Sequence, residues 1–403
     1  MVKIALMGFG VVGSGVVEVL SENSERIARS AGDEVLVKYI LDVRDFPDSP
    51  FSDRVIHDFE LIEEDPEIRL IVETIGGTGL AYDFTKRGLL AGKSVVTSNK
   101  ELVAARGQEL LAIAKEKNVN YLFEASVGGG VPIIRPITQC LAANNISEIY
   151  GILNGTTNYI LTSMMQNRAT FDDALRQAQE QGFAERKPIA DISGADACRK
   201  ICILSDLSFG KQINPDEIFT EGIDGITMDD MKYAASIGCK IKLVARALRT
   251  SDSTITAYVA PHLIHSDSLL ASVDGVMNGI VVHGDAIGEV MFYGKGAGAR
   301  PTASAIIADI IDAVRHFKNR RSFDWNEYEE GFVSDSKLIK SRWFVRMGGS
   351  LADIGSFFGN VRFVTYDNAP DGDYAFLTGP MDVYDIKKRT DRMDLHALYR
   401  ILD

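Results

Sequence analysis

Residues 180–200, EQGFAERKPIADISGADACRK, concentrate charged side chains directly before an apolar stretch, ICILSDLSF. Carboxylates and lysines are the side chains of acid–base chemistry and of binding to charged ligands. A solvated connection is the alternative, because surface turns are often charged and rich in glycine. The charged residues of the segment include Glu185, Asp191, Asp196, Arg199 and Lys200. Their position at the start of an apolar helix makes them candidates for a site.

A glycine-rich turn near the start of the chain is the second stretch with chemical meaning. MGFGVVGSG has the spacing GxGxxG and lies between a strand-like run, KIALMG, and a helical pattern. Glycines at this spacing allow a tight turn, close approach of a pyrophosphate and helix–strand packing. A purely structural turn is the alternative, but its place before an alternating βα series favours dinucleotide binding. The predicted cofactor contacts are Gly8, Phe9, Gly10, Val11, Val12 and Gly13.

The order of the elements predicts an α/β fold. Apolar runs alternate with helical patterns up to about residue 125, which indicates a Rossmann-type doubly wound parallel sheet. Longer strands and helices follow, including a predicted helix over 132–143, and indicate an α+β domain. We place a dinucleotide-binding domain at 1–131, completed by a helix at 301–318, and a substrate-binding and dimerisation domain at 132–300. A linker at 319–340 and a small C-terminal region at 341–403 complete the chain.

Composition excludes several classes of partner. The 403 residues include 43 basic and 56 acidic side chains, a formal charge of −13, which disfavours binding to nucleic acid or an anionic membrane. The chain starts without a signal-peptide pattern and has no apolar run long enough for a membrane span. The four cysteines and six histidines show no metal-binding spacing. We therefore expect a cytoplasmic protein with reduced thiols and no zinc site.

The end of the second strand, YILDVRDF, bears on the choice of cofactor. Asp42 could accept a hydrogen bond from the ribose 2′-hydroxyl of NAD, whereas Arg44 could hold the 2′-phosphate of NADP. Asp42 lies further from the glycine turn than the usual spacing of about twenty residues. The residues alone leave both cofactors open.

Polar residues interrupt three apolar strands at their carboxyl ends, where parallel sheets bind ligands. The stretches are ETIGG, TSNKE and FEASVGGGVPI, and the first two contribute Thr74, Ser98 and Lys100. Lys100 follows the fourth strand, near the expected position of a nicotinamide ring. An ordinary lysine at the start of a helix would oppose the helix dipole, so a role in the site is the better interpretation.

Six motifs in the same order make the sequence resemble homoserine dehydrogenase over residues 1 to about 318. They are GFGVVGSGV, SNKELVA, EASVGGGVPIIRP, LNGTTNYIL, AQEQGFAERKPIADISGADACRK and FYGKGAGARPTASAIIADI. The resemblance implies reversible, NAD(P)-dependent interconversion of L-homoserine and L-aspartate 4-semialdehyde, in the synthesis of threonine, methionine and isoleucine. It also implies a homodimer.

The resemblance assigns roles to the charged segment. The positions that match the family's amino-acid pocket are Glu185, Asp191, Asp196 and Lys200. Glu185 would accept hydrogen bonds from the substrate ammonium group. Asp196 and Lys200 share a helix face, so the acid can orient the lysine, which would exchange a proton with the substrate oxygen. Lys100 would polarise that oxygen, and we expect the two neighbouring lysines to lower each other's pKa.

Further contacts follow from the resemblance alone. Gly298 of the FYGKGAGARPT motif would contact the cofactor, and Arg44 matches a basic position that favours NADP in the family. FEASVGGGV matches a loop that binds a monovalent cation, sodium or potassium, through oxygen ligands. Its ligands would be Glu124 and the carbonyl groups of Val127, Gly129 and Val131. A glycine-rich turn without an ion is the alternative.

The C-terminal stretch resembles the family only in part. Residues 341–364 and 373–379 look like a shortened regulatory domain of the ACT type, but GGSLADIG replaces the family's Asp-x-Pro-Gly turn. A proline would fix that turn so that its N–H groups could bind an amino-acid carboxylate. We therefore expect an ACT-like fold with little or no response to threonine.

Two other kinds of protein stay open as alternatives. Aspartate-semialdehyde dehydrogenase would need a cysteine nucleophile, yet Cys198 and Cys202 lie in an apolar helical stretch without a paired histidine. A cofactor-binding sensor without catalytic activity would have no use for both Lys100 and Lys200. An assay of NADH or NADPH consumption with aspartate semialdehyde as substrate distinguishes homoserine dehydrogenase, aspartate-semialdehyde dehydrogenase and a sensor from one another.

Overall fold

The N-terminal layer is a parallel sheet in the computed structural model, which describes residues 1–321 and 323–402. Its six strands are β1 (Val2–Met7), β2 (Val35–Leu41), β3 (Val55–Ile56), β4 (Ile68–Glu73), β5 (Ser94–Thr97) and β6 (Tyr121–Leu122). They are ordered β3-β2-β1-β4-β5-β6, and every pair is parallel. The order reverses between β1 and β4, as in doubly wound dinucleotide-binding folds. The predicted Rossmann-type sheet is confirmed.

Helices cover both faces of this sheet. They are α1 (Val11–Glu22), α2 (Ser24–Ala31), α3 (Glu60–Glu63), α4 (Leu80–Leu90) and α5 (Lys100–Glu116). The long helical pattern after the glycine turn is divided at Asn23, which ends α1 and precedes α2. Val16, Val17 and Leu20 of α1 are buried in one core cluster with the strands.

The second layer is built on antiparallel strands. They are β7 (Ile146–Ile152), β8 (Phe219–Thr220), β9 (Cys239–Arg249), β10 (Ile255–His265), β11 (Met277–Gly284) and β12 (Gly288–Lys295). The main path runs β12-β11-β7-β9-β10 with antiparallel neighbours, and β8 pairs with β10 in parallel. Long, alternating strands of this kind were expected for an α+β domain.

Five helices pack on this second sheet and carry much of the charged segment. They are α6 (Gly155–Asn167), α7 (Phe171–Glu180), α8 (Ile189–Ile192), α9 (Ala195–Phe209) and α10 (Met228–Ser236). The helix predicted over 132–143 is wrong in length, because only residues 134–140 are helical, and Pro136–Cys140 form a π-helical turn. Pro136 lacks a backbone donor that an α-helix starting at residue 132 would need.

Helix α11 (Ala299–Arg315) returns the chain to the first layer. Its buried residues Ala303, Ile306 and Ile310 belong to the same core cluster as Val16 of α1. The N-terminal sheet is therefore covered on one side by a helix that comes from near the end of the second domain.

The segment predicted as a linker packs tightly, although residues 319–321 and 323–335 form no helix. Trp325 is buried, lies edge-on to Phe123 and donates a hydrogen bond to Gln212. A Cβ atom at Gly107 would lie 2.5 Å from the indole ring, so this glycine makes room for it. The segment thus fastens the two domains to each other.

The C-terminal region contains all six elements of a βαββαβ unit. They are β13 (Trp343–Gly348), α12 (Leu351–Phe358), β14 (Arg362–Val364), β15 (Asp373–Leu377), α13 (Val383–Thr390) and β16 (Leu395–Leu402). The strand order β16-β13-β15-β14 is antiparallel throughout, as in ferredoxin-like units. Strand β16 also pairs with β10, in parallel, so this unit continues the second sheet.

Removal of residues 341–403 should destabilise the catalytic part of the chain. It would uncover the edge of β10 at His262–Ile264 and remove Tyr399, whose hydroxyl donates to the fully buried Asp230. We expect the thermal midpoint to fall by at least about 5 °C and soluble aggregates to appear. Thermal unfolding and size-exclusion chromatography measure both. Phe363→Ser on the exposed outer strand β14 is the control, and a truncated chain with an unchanged midpoint would contradict the expectation.

Candidate functional site

The turn between β1 and α1 has room for a bound group at Gly10. A Cβ atom at Gly8 would lie 2.9 Å from the Thr74 carbonyl oxygen, and one at Gly13 would lie 2.1 Å from the Gly8 carbonyl oxygen. Gly8 also has a φ of +91°, which disfavours other residues. A Cβ atom at Gly10 would meet no atom within 4 Å. Two glycines therefore shape the turn, and the third keeps its outer side open.

Asp42, directly after β2, forms hydrogen bonds with the glycine turn and with Arg44. Its carboxylate accepts hydrogen bonds from the Phe9 amide at 2.8 Å and from the Arg44 amide and Nε, both at 3.0 Å. The Arg44 Nη2 group donates to the second oxygen at 3.1 Å. Burial raises the pKa of Asp42, but the Arg44 and Phe9 hydrogen bonds outweigh burial and lower the pKa to about 2. The acid is ionised, and Arg44 is the exposed partner.

Polar groups at the ends of β4 and β5 face the same edge of the sheet. The Thr74 hydroxyl donates to the Met7 and Gly8 carbonyl groups, at 3.1 and 2.9 Å, and so stabilises the glycine turn. Asn99 caps α5 by accepting a hydrogen bond from the Leu102 amide. This cap places Lys100 at the start of the helix and at the carboxyl edge of the sheet, as predicted.

A cavity of about 650 Å³ lies between the two layers and is lined by nine of the nineteen predicted site residues. Its wall runs from Val12 in the first turn of α1 to Thr302 in α11. From the predicted set it includes Val12, Ser98, Lys100, Val127, Gly129, Asp191, Asp196, Lys200 and Gly298. Val12 is the residue of the glycine turn that lines it, so the first turn of α1 and the charged segment border one space.

Asp196 binds both lysines at this cavity. Its two carboxylate oxygens lie 2.9 Å from the Lys100 Nζ atom and 2.8 Å from the Lys200 Nζ atom. Lys200 also donates to the Leu153 carbonyl oxygen at 2.8 Å. Asp196 and Lys200 are only 5% and 8% exposed. Two of the three N–H groups of Lys200 are thus occupied, and one is left for a ligand in the cavity.

The charges of this cluster support one another. Burial raises the pKa of Asp196, but Lys200 and Lys100 outweigh burial and hold it well below its usual range. Burial lowers the pKa of Lys100, and the Asp196 carboxylate more than compensates, so that it is raised. The expectation that two lysines would lower each other's pKa is therefore wrong for Lys100, because an acid lies between them.

Comparisons with known proteins agree with this geometry. The family model described as homoserine dehydrogenase matches residues 132–311, and its NAD-binding domain model matches residues 8–124. Homoserine dehydrogenase of Pseudomonas aeruginosa is 43% identical, over 78% of this chain and 72% of its own length. A crystal structure of homoserine dehydrogenase from Thiobacillus denitrificans has a TM-score of 0.91 at 34% identity and covers 100% of this chain and 98% of its own. A hyperthermophilic archaeal homoserine dehydrogenase in complex with NADPH has a TM-score of 0.66 at 34% identity, over 79% of this chain and 99% of its own.

The chain belongs to the homoserine dehydrogenase family. The resemblance seen in the sequence is confirmed, and so is the predicted activity, an NAD(P)-dependent oxidoreduction of a CH–OH group. No helix among the described residues is long and apolar enough to cross a membrane.

Glu185 is the one predicted substrate residue of this family member that lies outside the cavity wall. Its side chain is exposed and forms no hydrogen bond or ion pair among the described residues. Its backbone is held, because Gln179 donates to the Glu185 carbonyl oxygen at 3.2 Å. The geometry thus unites Asp191, Asp196 and Lys200 and leaves Glu185 apart.

Several cavity residues were not singled out from the sequence. They include Ser126, Asn154, Thr156, Phe183, Lys295 and Thr302. Asn154 had a detectable signal, since an asparagine directly before a helical pattern is a preferred N-cap residue. The others carry no pattern that separates them from ordinary surface residues.

The glycine-rich loop after β6 has oxygen atoms that suit a cation. The Glu124 carboxylate accepts hydrogen bonds from the Ile133, Ile134 and Arg135 amides, so it is occupied as a helix cap. Among the described residues, no backbone hydrogen bond outside the regular elements ends on the carbonyl groups of Val127, Gly129 or Val131. The described part of the chain has no cluster of three or more His, Cys, Asp or Glu that could hold a metal ion. A cation here would be bound by carbonyl oxygen.

Gly10→Ala and Gly13→Ala should separate cofactor binding from folding. At Gly10 the free protein has space for a methyl group, but a pyrophosphate that approaches the backbone does not leave that space. We expect Gly10→Ala to weaken NADH and NADPH binding roughly tenfold or more, with an unchanged thermal midpoint. Gly13→Ala should lower the midpoint as well, because its Cβ atom would collide with the Gly8 carbonyl oxygen.

Cofactor fluorescence titration and thermal unfolding measure these effects. Gly32→Ala at the end of α2, where a Cβ atom would meet nothing within 4 Å but φ is +81°, controls for backbone strain alone. Normal cofactor affinity in Gly10→Ala would disprove the placement of the pyrophosphate.

Proposed function

We propose that the chain interconverts L-homoserine and L-aspartate 4-semialdehyde, with Lys200 as the group that exchanges a proton with the substrate oxygen. The contact of one carboxylate, Asp196, with both Lys100 and Lys200 beside the glycine turn carries this proposal. The nicotinamide cofactor, when bound, supplies or accepts the hydride. The residues Gly8, Phe9, Gly10, Val11, Val12, Gly13, Thr74, Ser98 and Gly298 would hold it.

The two lysines have different tasks in this proposal. Lys200 is nearly buried and has one N–H group free, so it would donate to the aldehyde oxygen during reduction and take the proton back during oxidation. Lys100 stays cationic because of Asp196 and would stabilise negative charge on the same oxygen. Asp196 would hold both lysine side chains in place and would take no direct part in the transfer of the hydride or the proton.

The substrate ends require partners of opposite charge. The Gly155 and Thr156 amides at the start of α6 line the cavity, and a helix N-terminus suits the substrate carboxylate. Asp191 on the cavity wall and Glu185 are the acids available to the ammonium group. Glu185 remains the predicted ammonium partner, and a rise in the Michaelis constant for homoserine in Glu185→Ala would support it.

We propose NADP as the preferred cofactor, with NAD also accepted. Arg44 is exposed at the end of β2, where the 2′-phosphate of NADP would lie. The NADPH complex of the archaeal relative concerns that protein, and it supports the same class of cofactor here.

A monovalent cation, sodium or potassium, is proposed at the loop of residues 124–131. The carbonyl groups of Glu124, Val127, Gly129 and Val131 are hard oxygen ligands, and among the described residues no backbone hydrogen bond outside the regular elements ends on the last three. The loop borders the cavity through Val127 and Gly129. Such an ion would therefore order the cavity wall.

A homodimer in the cytoplasm is also proposed. Among the described residues, the outer strand β12 has no partner strand on its far side, and its Tyr293 is 56% exposed, which supports association with a second copy. All four cysteines are free thiols, as expected in a reducing compartment.

Insensitivity to threonine remains a prediction for the C-terminal unit. At the turn before α12, the Ser350 hydroxyl already occupies the Asp353 amide. The Asp394 carboxylate lies 2.6 Å from the position of a Cβ atom at Gly348 and would repel an amino-acid carboxylate. This turn is poorly suited to an anionic group.

Lys200→Ala should lower the turnover number about a hundredfold or more, because it removes the proton donor. NADPH affinity should stay near the wild-type value, since Lys200 lies at the substrate end of the cavity. Steady-state oxidation of homoserine and cofactor titration measure both quantities. Lys187→Ala, an exposed lysine of the same segment, is the matched control and should be close to wild type. More than about a tenth of the wild-type rate in Lys200→Ala would remove this residue from the chemistry.

Arg44→Ala should weaken NADPH binding roughly ten- to a hundredfold and leave NADH binding near its wild-type value. The reason is that only NADPH presents a 2′-phosphate to the guanidinium group. Parallel fluorescence titrations with the two reduced cofactors measure the difference. Equal losses for both cofactors would show that Arg44 acts by holding Asp42 and not through the phosphate.

A further inference from the structure

Asn154 joins the two carboxylates of the charged cluster. Its side chain is 5% exposed, and its Nδ2 atom lies 2.7 Å from Asp191 Oδ1 and 2.9 Å from Asp196 Oδ2. A primary amide has two N–H groups, so each acid receives one. Among the described residues, hydrogen bonds thus link Asp191 to Asp196 through Asn154.

The other end of the amide is fixed by helix α6. The Asn154 Oδ1 atom accepts hydrogen bonds from the Thr157 amide at 2.8 Å and from the Thr157 hydroxyl at 3.0 Å. If the amide oxygen and nitrogen of Asn154 were exchanged, the oxygen would face the carboxylates of Asp191 and Asp196. The NH2 group would then face the Thr157 amide N–H, and neither contact is a hydrogen bond. Only one orientation satisfies all four bonds, so the side chain is held as a rigid bridge.

The bridge counteracts a repulsion that burial makes stronger. Burial raises the pKa of Asp191, and the neighbouring Asp196 raises it further, whereas the Asn154 hydrogen bond and the lysines lower it. A half-buried acid beside a buried one stays ionised more easily when N–H donors lie between them. Asn154 provides these donors and fixes the spacing of the two groups.

We propose that Asn154 is a positioning residue for the reaction, which holds Asp191 and Asp196 side by side and so keeps Asp196 in register with Lys100 and Lys200. The inference rests on the proposed function, because it concerns the same lysines. It adds that the α6 cap and the proton-transferring group form one hydrogen-bonded chain. The charged groups that face Asn154 are Asp191 of α8, Asp196 and Lys200 of α9, and Lys100 of α5.

Asn154→Asp tests this role, because aspartate is an equally good helix cap but has no N–H group. Three carboxylates would then share the cluster, so one of them should bind a proton at a higher pH than in the wild type. We expect both limbs of the pH profile of kcat/KM for homoserine to move upward by about one unit. The value at pH 6 should fall roughly tenfold relative to the wild type, and the loss should shrink towards pH 9.

Two further variants keep the test decisive if Asn154→Asp does not fold. Asn154→Ser retains a capping oxygen but cannot reach both acids, and it should move the acidic limb in the same direction. Thr170→Ala removes the cap of α7, where the hydroxyl accepts from the Asp173 amide, and should lower the thermal midpoint without moving the profile. An unmoved profile in both Asn154 variants would overturn the inference. Absence of homoserine oxidation in the wild type would instead overturn the proposed function.

Discussion

The ion pairs of Asp196 are the interaction on which the site depends. Lys100 follows β5 of the first layer and Lys200 lies on α9 of the second, so the carboxylate between them also joins the two domains. Two cations at such close range would repel each other strongly in a space with little water. One buried carboxylate that accepts from both converts this repulsion into attraction. Burial removes the hydration of the Asp196 carboxylate, and the two lysines and the Asn154 amide offset this cost.

The same constraint explains the arrangement of the chain around the cavity. Asp196 and Lys200 share a face of α9 because they are one helical turn apart, and the apolar remainder of α9 anchors them in the core. Lys100 must then come from the edge of the parallel sheet where the glycine turn also lies. The order of the strands thereby brings Lys100, Lys200 and the first turn of α1 to one cavity. Trp325 links the two layers, because it packs on Phe123 of the first and donates to Gln212 of the second.

Much of this arrangement could be predicted from the sequence, because its signals are local. Alternating apolar runs and helical patterns gave the parallel sheet, and the glycine spacing gave its turn. The short π-helical turn at Pro136–Cys140 was missed because the effect of Pro136 was not weighed against an apolar pattern. The raised pKa of Lys100 was missed because its acid partner lies 96 residues further along the chain. The parallel pairing of β10 with β16 joins segments that are distant in sequence, and no local pattern reports it.

The contacts of Asp42 bear on how this site could discriminate between cofactors. All four lone-pair positions of the carboxylate are taken, by the Phe9 amide and by Arg44. A ribose 2′-hydroxyl could therefore approach Asp42 only if Arg44 gave up part of its contact. Arg44 uses two of its five guanidinium N–H groups on Asp42, so the other three stay available to a 2′-phosphate without loss of that bond. Because Asp42 also holds the glycine turn, substitution of this acid would disturb both cofactors, and selectivity can be altered cleanly only through Arg44.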